Sequence, residues 1–280
     1  MALGPHGTGA AAARRYAAFR RDAARARRAV RLRGMLAPVR GVWTRLREAF
    51  RAEAPAPDAP FDPLPPSFDP RDAAGERLAT PVRFQPHDDD RCVAYALGAA
   101  METWWCRSLN ASTGVPHLSI EELDPGTASL TDAAEHAEQG VLDEDCRPPG
   151  QSACVDPAAH SWSLRWRQIR DKEERMPGLM RRALLDEGPL AINVRMFADF
   201  DAFRDPDGTL VYSPTGAALD DAHALCVVGF DSANGGTWIV KNSRDVEWGC
   251  KGYGMIKWND ERLRPELVVV VVARVIHPAQ

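Results

Sequence analysis

Between Cys92 and Cys106 the chain runs CVAYALGAAMETWWC, a stretch in which only Glu102 and Thr103 are polar. It is too long for a typical strand, and a helix that is apolar nearly all round must be covered on most of its faces. The sequence therefore predicts one central helix with the rest of the chain wrapped around it. At 280 residues the chain is long enough for one large domain or two smaller ones. Its 45% apolar and 26% charged residues are ordinary globular proportions, which exclude a wholly disordered, collagenous or coiled-coil chain. The longest apolar runs, Val93 to Met101 and Leu267 to Ala273, fall well short of the roughly 18 to 20 residues that cross a bilayer, so no transmembrane span is expected.

What precedes that helix has a different character. Residues 1–51 hold 13 arginines against Asp22 and Glu48, a net +11, which leaves −15 for the rest of a chain whose formal charge is −4. Alanine and arginine over 10–34, and the four-residue spacing of Val42, Leu46 and Phe50, predict two helices. A proline-dense stretch follows, and prolines that fix φ and remove N–H donors make an extended linker. The division expected is a basic helical arm over 1–53, a linker over 54–67 and a folded domain over 68–280. The arm is expected to dock on the acidic body or on an outside anionic surface, or to remain a tail. Its paired arginines lack the apolar stretch of a secretory signal, so the compartment stays open, leaning to the cytoplasm.

After the central helix, helical pieces are expected at 129–139 and 180–186, around a loop rich in proline and cysteine at 146–154. The last ninety residues carry short β-branched or aromatic runs at 190–194, 224–230, 237–241, 253–258 and 267–275, separated by Gly, Asn and Asp. They predict an antiparallel sheet or barrel, and the fold class is α+β, with a helical half and a β half.

Dinucleotide, P-loop and zinc-hydrolase motifs are absent, which leaves cysteine and histidine as the chemistry-bearing residues. Cys92 opens the central helix, where the positive end of the helix dipole stabilises a thiolate. A buried helix-start thiol is the plainer reading of that position. Three segments add to it: PVRFQPHDDDRCVAYALGAAME (81–102), DDAHALCVVGFD (220–231) and TWIVKNSRDVEWGCKGYGMIKW (237–258). Together with Phe68 to Asp72 and Leu118 to Leu123, they resemble the papain-like cysteine peptidases from about residue 68 to the C-terminus.

The resemblance implies a two-lobe α+β fold and a peptide or protein substrate, with no cofactor and no metal. It implies Cys92 as nucleophile, His223 as its imidazole partner, Asn242 as the residue that orients the ring, and Gln85 as oxyanion donor. Asp221, Ala224 and Trp248 are implied near the substrate. The implied chemistry is acyl transfer through a thioester. Departures from the family pattern are Val93 where tryptophan is common, an acidic run His87-Asp88-Asp89-Asp90 between Gln85 and Cys92, and Arg244 where tryptophan usually follows Asn-Ser. They motivate a second expectation, a papain-like body that binds peptides without turnover. Cys146 and Cys154 flank a short loop and either pair or remain free thiols; the family's usual disulfides are not assumed.

Overall fold

The computed structural model describes residues 64–71, 78–109, 114–124, 126, 129–265 and 269–277. The two helices expected over 10–34 and 42–50, and most of the linker, lie outside the described residues, as does any docking of the arm. The linker's last residues are part of the fold: Ser67–Phe68 forms strand β1.

Helix α1, Cys92–Leu109, is the predicted central helix. Its buried residues lie on every side and include Leu97, Met101 and Trp105 as well as the polar Glu102 and Thr103. Helices α2 (Ile120–Leu123) and α3 (Leu130–Glu138) lie against it. α3 shows why it forms where it does. Ser129 caps it by accepting from the Asp132 N–H at 3.2 Å, and Leu130, Ala133, Ala134 and Ala137 make one apolar face. α1 and α2 meet at a glycine, since a Cβ on Gly98 would lie 2.9 Å from Leu123 Cδ1. Cys146 and Cys154 are joined in a disulfide, settling the alternative the sequence left open.

Beyond them come β2 (Val141–Leu142), β3 (Ser161–Ile169), helix α4 (Met176–Asp186), and strands β4 (Leu190–Phe197), β5 (Val211–Tyr212), β6 (Ala218–Asp231), β7 (Thr237–Lys241), β8 (Tyr253–Lys257) and β9 (Val269–Ile276). They form one sheet in the order β2-β3-β9-β4-β6-β7-β8-β5, with β1 added beside β6. All pairs are antiparallel except β5 with β8. Each of the five runs predicted as strands lies on a strand. The nine-residue β3 was not expected, because its sequence falls in the stretch expected to hold helices and a loop. Its alternation of Trp162, Leu164 and Trp166 with Arg165 and Arg167 is the period-two signal that marks it.

The same period explains how one sheet serves two cores. On β9, Val270 and Val272 pack with α1, whereas Val269 and Val271 pack with α4 and the aromatic cluster of Phe200, Trp238 and Trp248. β6 divides likewise, Ala224, Cys226 and Val228 toward α1 and Leu225 and Val227 away from it. The helical half and the β half are thus two faces of shared strands. No helix among the described residues is long and apolar enough to cross a membrane.

Candidate active site

Cys92 stands at the first turn of α1, half-buried, beside the shared strand β6. The main chain of Ala224 on β6 favours the anion of this thiol. Burial nevertheless pushes the isolated thiol above its ordinary value, with Asp221 adding to the effect and Arg244 opposing it.

His223 precedes Ala224 on β6 and so faces the other core, 2% exposed, with its ring 5.7 Å from that of Phe200. Its Nε2 lies 2.8 Å from Oδ1 of Asn242, which follows the last residue of β7. The same oxygen accepts the main-chain N–H of Ser243 at 2.8 Å, so it is the oxygen and not the amide nitrogen that faces the ring. Nε2 therefore carries the proton, and in the neutral imidazole Nδ1 is the basic nitrogen. Burial holds the imidazole down, to about 4, against the raising effect of the Asn242 bond. Taken singly, the thiol and the imidazole are both disfavoured as ions by the same dry surroundings.

Gln85 is buried, 1% exposed, and locked to the segment after Asn242. Its N–H donates to the Ser243 carbonyl at 2.7 Å, and its Oε1 accepts from the Ser243 hydroxyl at 2.7 Å. One N–H of its amide is given to the Asp89 carbonyl, with Nε2 2.5 Å from that oxygen. An amide has a second N–H besides this one.

The acidic run does not press on the thiol as three free charges. Asp88 and Asp90 point into solvent. Asp89 accepts from Arg91 at 2.9 and 2.8 Å and from the Tyr95 hydroxyl at 3.3 Å. Burial raises that carboxyl, and the Arg91 bonds more than offset it, leaving it below its ordinary value. Asp221, exposed on β6, is the carboxylate that acts on both Cys92 and His223. Two residues expected near substrate are covered instead. The Trp248 side chain is 1% exposed, its Nε1 donating to the Phe200 carbonyl at 2.8 Å, so it props the ring that backs His223. The Ala224 side chain is 2% exposed and offers only its main chain.

Beside Asn242 lies a buried charge network. Glu102 on α1 accepts from Arg83 Nη2 at 2.5 Å, from the Thr80 hydroxyl at 2.9 Å and from the Leu118 N–H at 3.1 Å. Lys241, next to Asn242, donates to the Thr80 carbonyl and hydroxyl, both at 2.7 Å. Sequence reasoning missed this network, together with Phe200, Asp201 and Ser243. Ser243 was visible only as the neighbour of Asn242, and a phenylalanine and an aspartate in a loop carry no local signal. Among the described residues no cluster of His, Cys, Asp and Glu has the arrangement of a metal site.

Residues 64–266 match the model of the papain family of cysteine proteases. The chain is similar to "Peptidase 1" of Euroglyphus maynei, 26% identical over 192 residues covering 65% of this chain and 59% of that protein. It is also similar to cathepsin K of Gallus gallus, 29% identical over 142 residues, 48% of this chain and 41% of that one. In each case it spans less than two thirds of the relative's length. Among solved structures, procathepsin L 3 of Tenebrio molitor larval midgut aligns with a TM-score of 0.60 at 22% identity, over 76% of this chain and 71% of that chain. The procathepsin B S9 of Trypanosoma congolense aligns at 0.59 and 18%, over 81% and 80%. These establish the papain fold expected from the sequence. The family match spans most of the domain that carries Cys92, His223 and Asn242, and the chain belongs to the papain family of cysteine proteases.

Proposed function

We propose that the chain hydrolyses peptide bonds in a peptide or protein substrate, with Cys92 as nucleophile, His223 as acid and base, Asn242 as the residue that orients it and Gln85 as oxyanion donor. The observation that carries this reading is the 2.8 Å contact between His223 Nε2 and Asn242 Oδ1, on the strand whose next residue, Ala224, favours the Cys92 thiolate through its main chain. With Nε2 occupied, Nδ1 is the nitrogen left to take the thiol proton. The thiolate attacks the carbonyl carbon and forms a C–S bond, and the oxyanion is met by the Cys92 N–H and the Gln85 amide. The imidazolium gives its proton to the leaving amine as the C–N bond breaks. Water, deprotonated by the neutral ring, then attacks the thioester, and the thiol returns. A buried ring that favours its neutral form releases that proton readily.

A second reading, peptide binding without turnover, is favoured by one contact, the Gln85 amide donating to the Asp89 carbonyl, which takes up one of its two N–H groups. Cys92→Ala separates the two. Under the catalytic reading it abolishes hydrolysis of a fluorogenic peptide library and leaves substrate binding intact, and His223→Ala slows Cys92 alkylation by iodoacetamide. If the wild-type chain alkylates Cys92 only near pH 8.5, like an ordinary thiol, and cleaves nothing, the binding reading stands.

A further inference from the structure

Arg244 sits two residues after Asn242 and is largely buried, its side chain 13% exposed. Its Nη1 donates to the Pro86 carbonyl at 3.1 Å, and its Nε lies 3.5 Å from Asp201 Oδ1. The other oxygen of Asp201 is 3.2 Å from His87 Nδ1. The main chain of Arg244 pairs with that of Phe84, next to the Ser243–Gln85 bond. Three segments meet in this guanidinium: the loop that leads from Gln85 to Cys92, the loop after β4, and the segment that carries Asn242. A planar, permanently charged group with several donors suits such a junction, and a neutral side chain would leave Asp201 without its buried cation.

We propose that Arg244 is a positioning residue for the Cys92 and His223 pair, clamping the loop that bears Gln85 and holding a fixed positive charge beside both reacting groups. This rests on the nucleophile reading above. The charged groups that act on Cys92 and His223 are led by Arg244, Asp201 and Asp221, from three different segments. After burial and direct hydrogen bonds, Arg244 is the leading charge on each of them, and on each it favours loss of a proton. A cation that favours proton loss from both members lowers both macroscopic steps of a coupled pair, whichever member titrates first. The direction of its effect on a pH profile is therefore fixed. Asp201 acts on His223 in the opposite sense and is itself held by Arg244.

The test is the pH profile of Cys92 alkylation and of kcat/KM on a fluorogenic peptide, for wild type, Arg244→Met, Arg244→Lys and Asp201→Asn, with Tm recorded for each. Arg244→Met is expected to move both limbs up by roughly 0.5 to 1 pH unit, Arg244→Lys to move them back most of the way, and Asp201→Asn to move them down. A role confined to folding would change Tm and the amplitude while leaving the limbs in place. Limbs that stay put in Arg244→Met, with a bell-shaped wild type, overturn this inference alone. A wild type with a single limb near 8.5 overturns the nucleophile reading, and this one with it.

Discussion

Replacing Glu102 by glutamine tests the buried network behind the site with almost no change of shape. Glutamine retains an oxygen for Arg83 and the Leu118 N–H, and the Thr80 hydroxyl can turn to meet the new NH2 group. What is lost is the one negative charge set between two buried cations, Arg83 and Lys241, each under a tenth exposed. Glu144 stays near Arg83, at 3.4 Å, and only partly replaces it. Removing one partner of a buried pair costs about 3 to 5 kcal/mol, a large share of a total stability of about 5 to 15. With an m-value of about 2 to 3 kcal/mol/M, the urea midpoint should fall by roughly 1 to 2.5 M. Lys241 is already held below its ordinary value by burial, with Glu102 the first of the groups that raise it. The variant lowers it further, so the folded state binds fewer protons than the unfolded chain over a wider range below the lysine's usual pKa of about 10.4. Stability of the variant then rises with pH in that window, and its gap to wild type should narrow between pH 7 and pH 10. Urea titrations at several pH values, followed by tryptophan fluorescence, decide the matter. A midpoint within about 0.3 M of wild type, or a gap that widens with pH, refutes the argument.

Gly98→Ala places a methyl 2.9 Å from Leu123 Cδ1; the overpacking, about 1 to 3 kcal/mol, should outweigh the gain of roughly 1 kcal/mol in helix propensity. Its Tm should therefore drop, and an increase would show that α2 yields without cost. Converting Cys146 and Cys154 together to serine opens a loop closed over a sequence separation of 8. Chain entropy puts the loss at about 2.5 kcal/mol, or roughly 5 to 10 °C in Tm for a domain of this size. Calorimetry showing no change would mean that the surrounding contacts hold that loop unaided.

Local pattern was enough for the central helix, because its apolar residues lie on every side and no exposed helix could carry them. It was also enough for the five late strands, whose β-branched runs are separated by turn residues. Position at a helix start, with the family resemblance, singled out Cys92, His223, Asn242 and Gln85. Tertiary structure decided the rest. β3 escaped because its alternation of Trp and Arg makes sense only once a face of the sheet is covered by α3. That Trp248 props Phe200 and does not line an open surface, and that Arg244 ties Pro86 to Asp201, depend on which distant segments are brought together. The physical reason is one of range. Helices and strands follow the periodicity of a few neighbouring residues, whereas the charge state and orientation of a site come from burial and from partners far along the chain. Gln85 and Ser243, 158 residues apart and joined at 2.7 Å, had no local pattern to announce them.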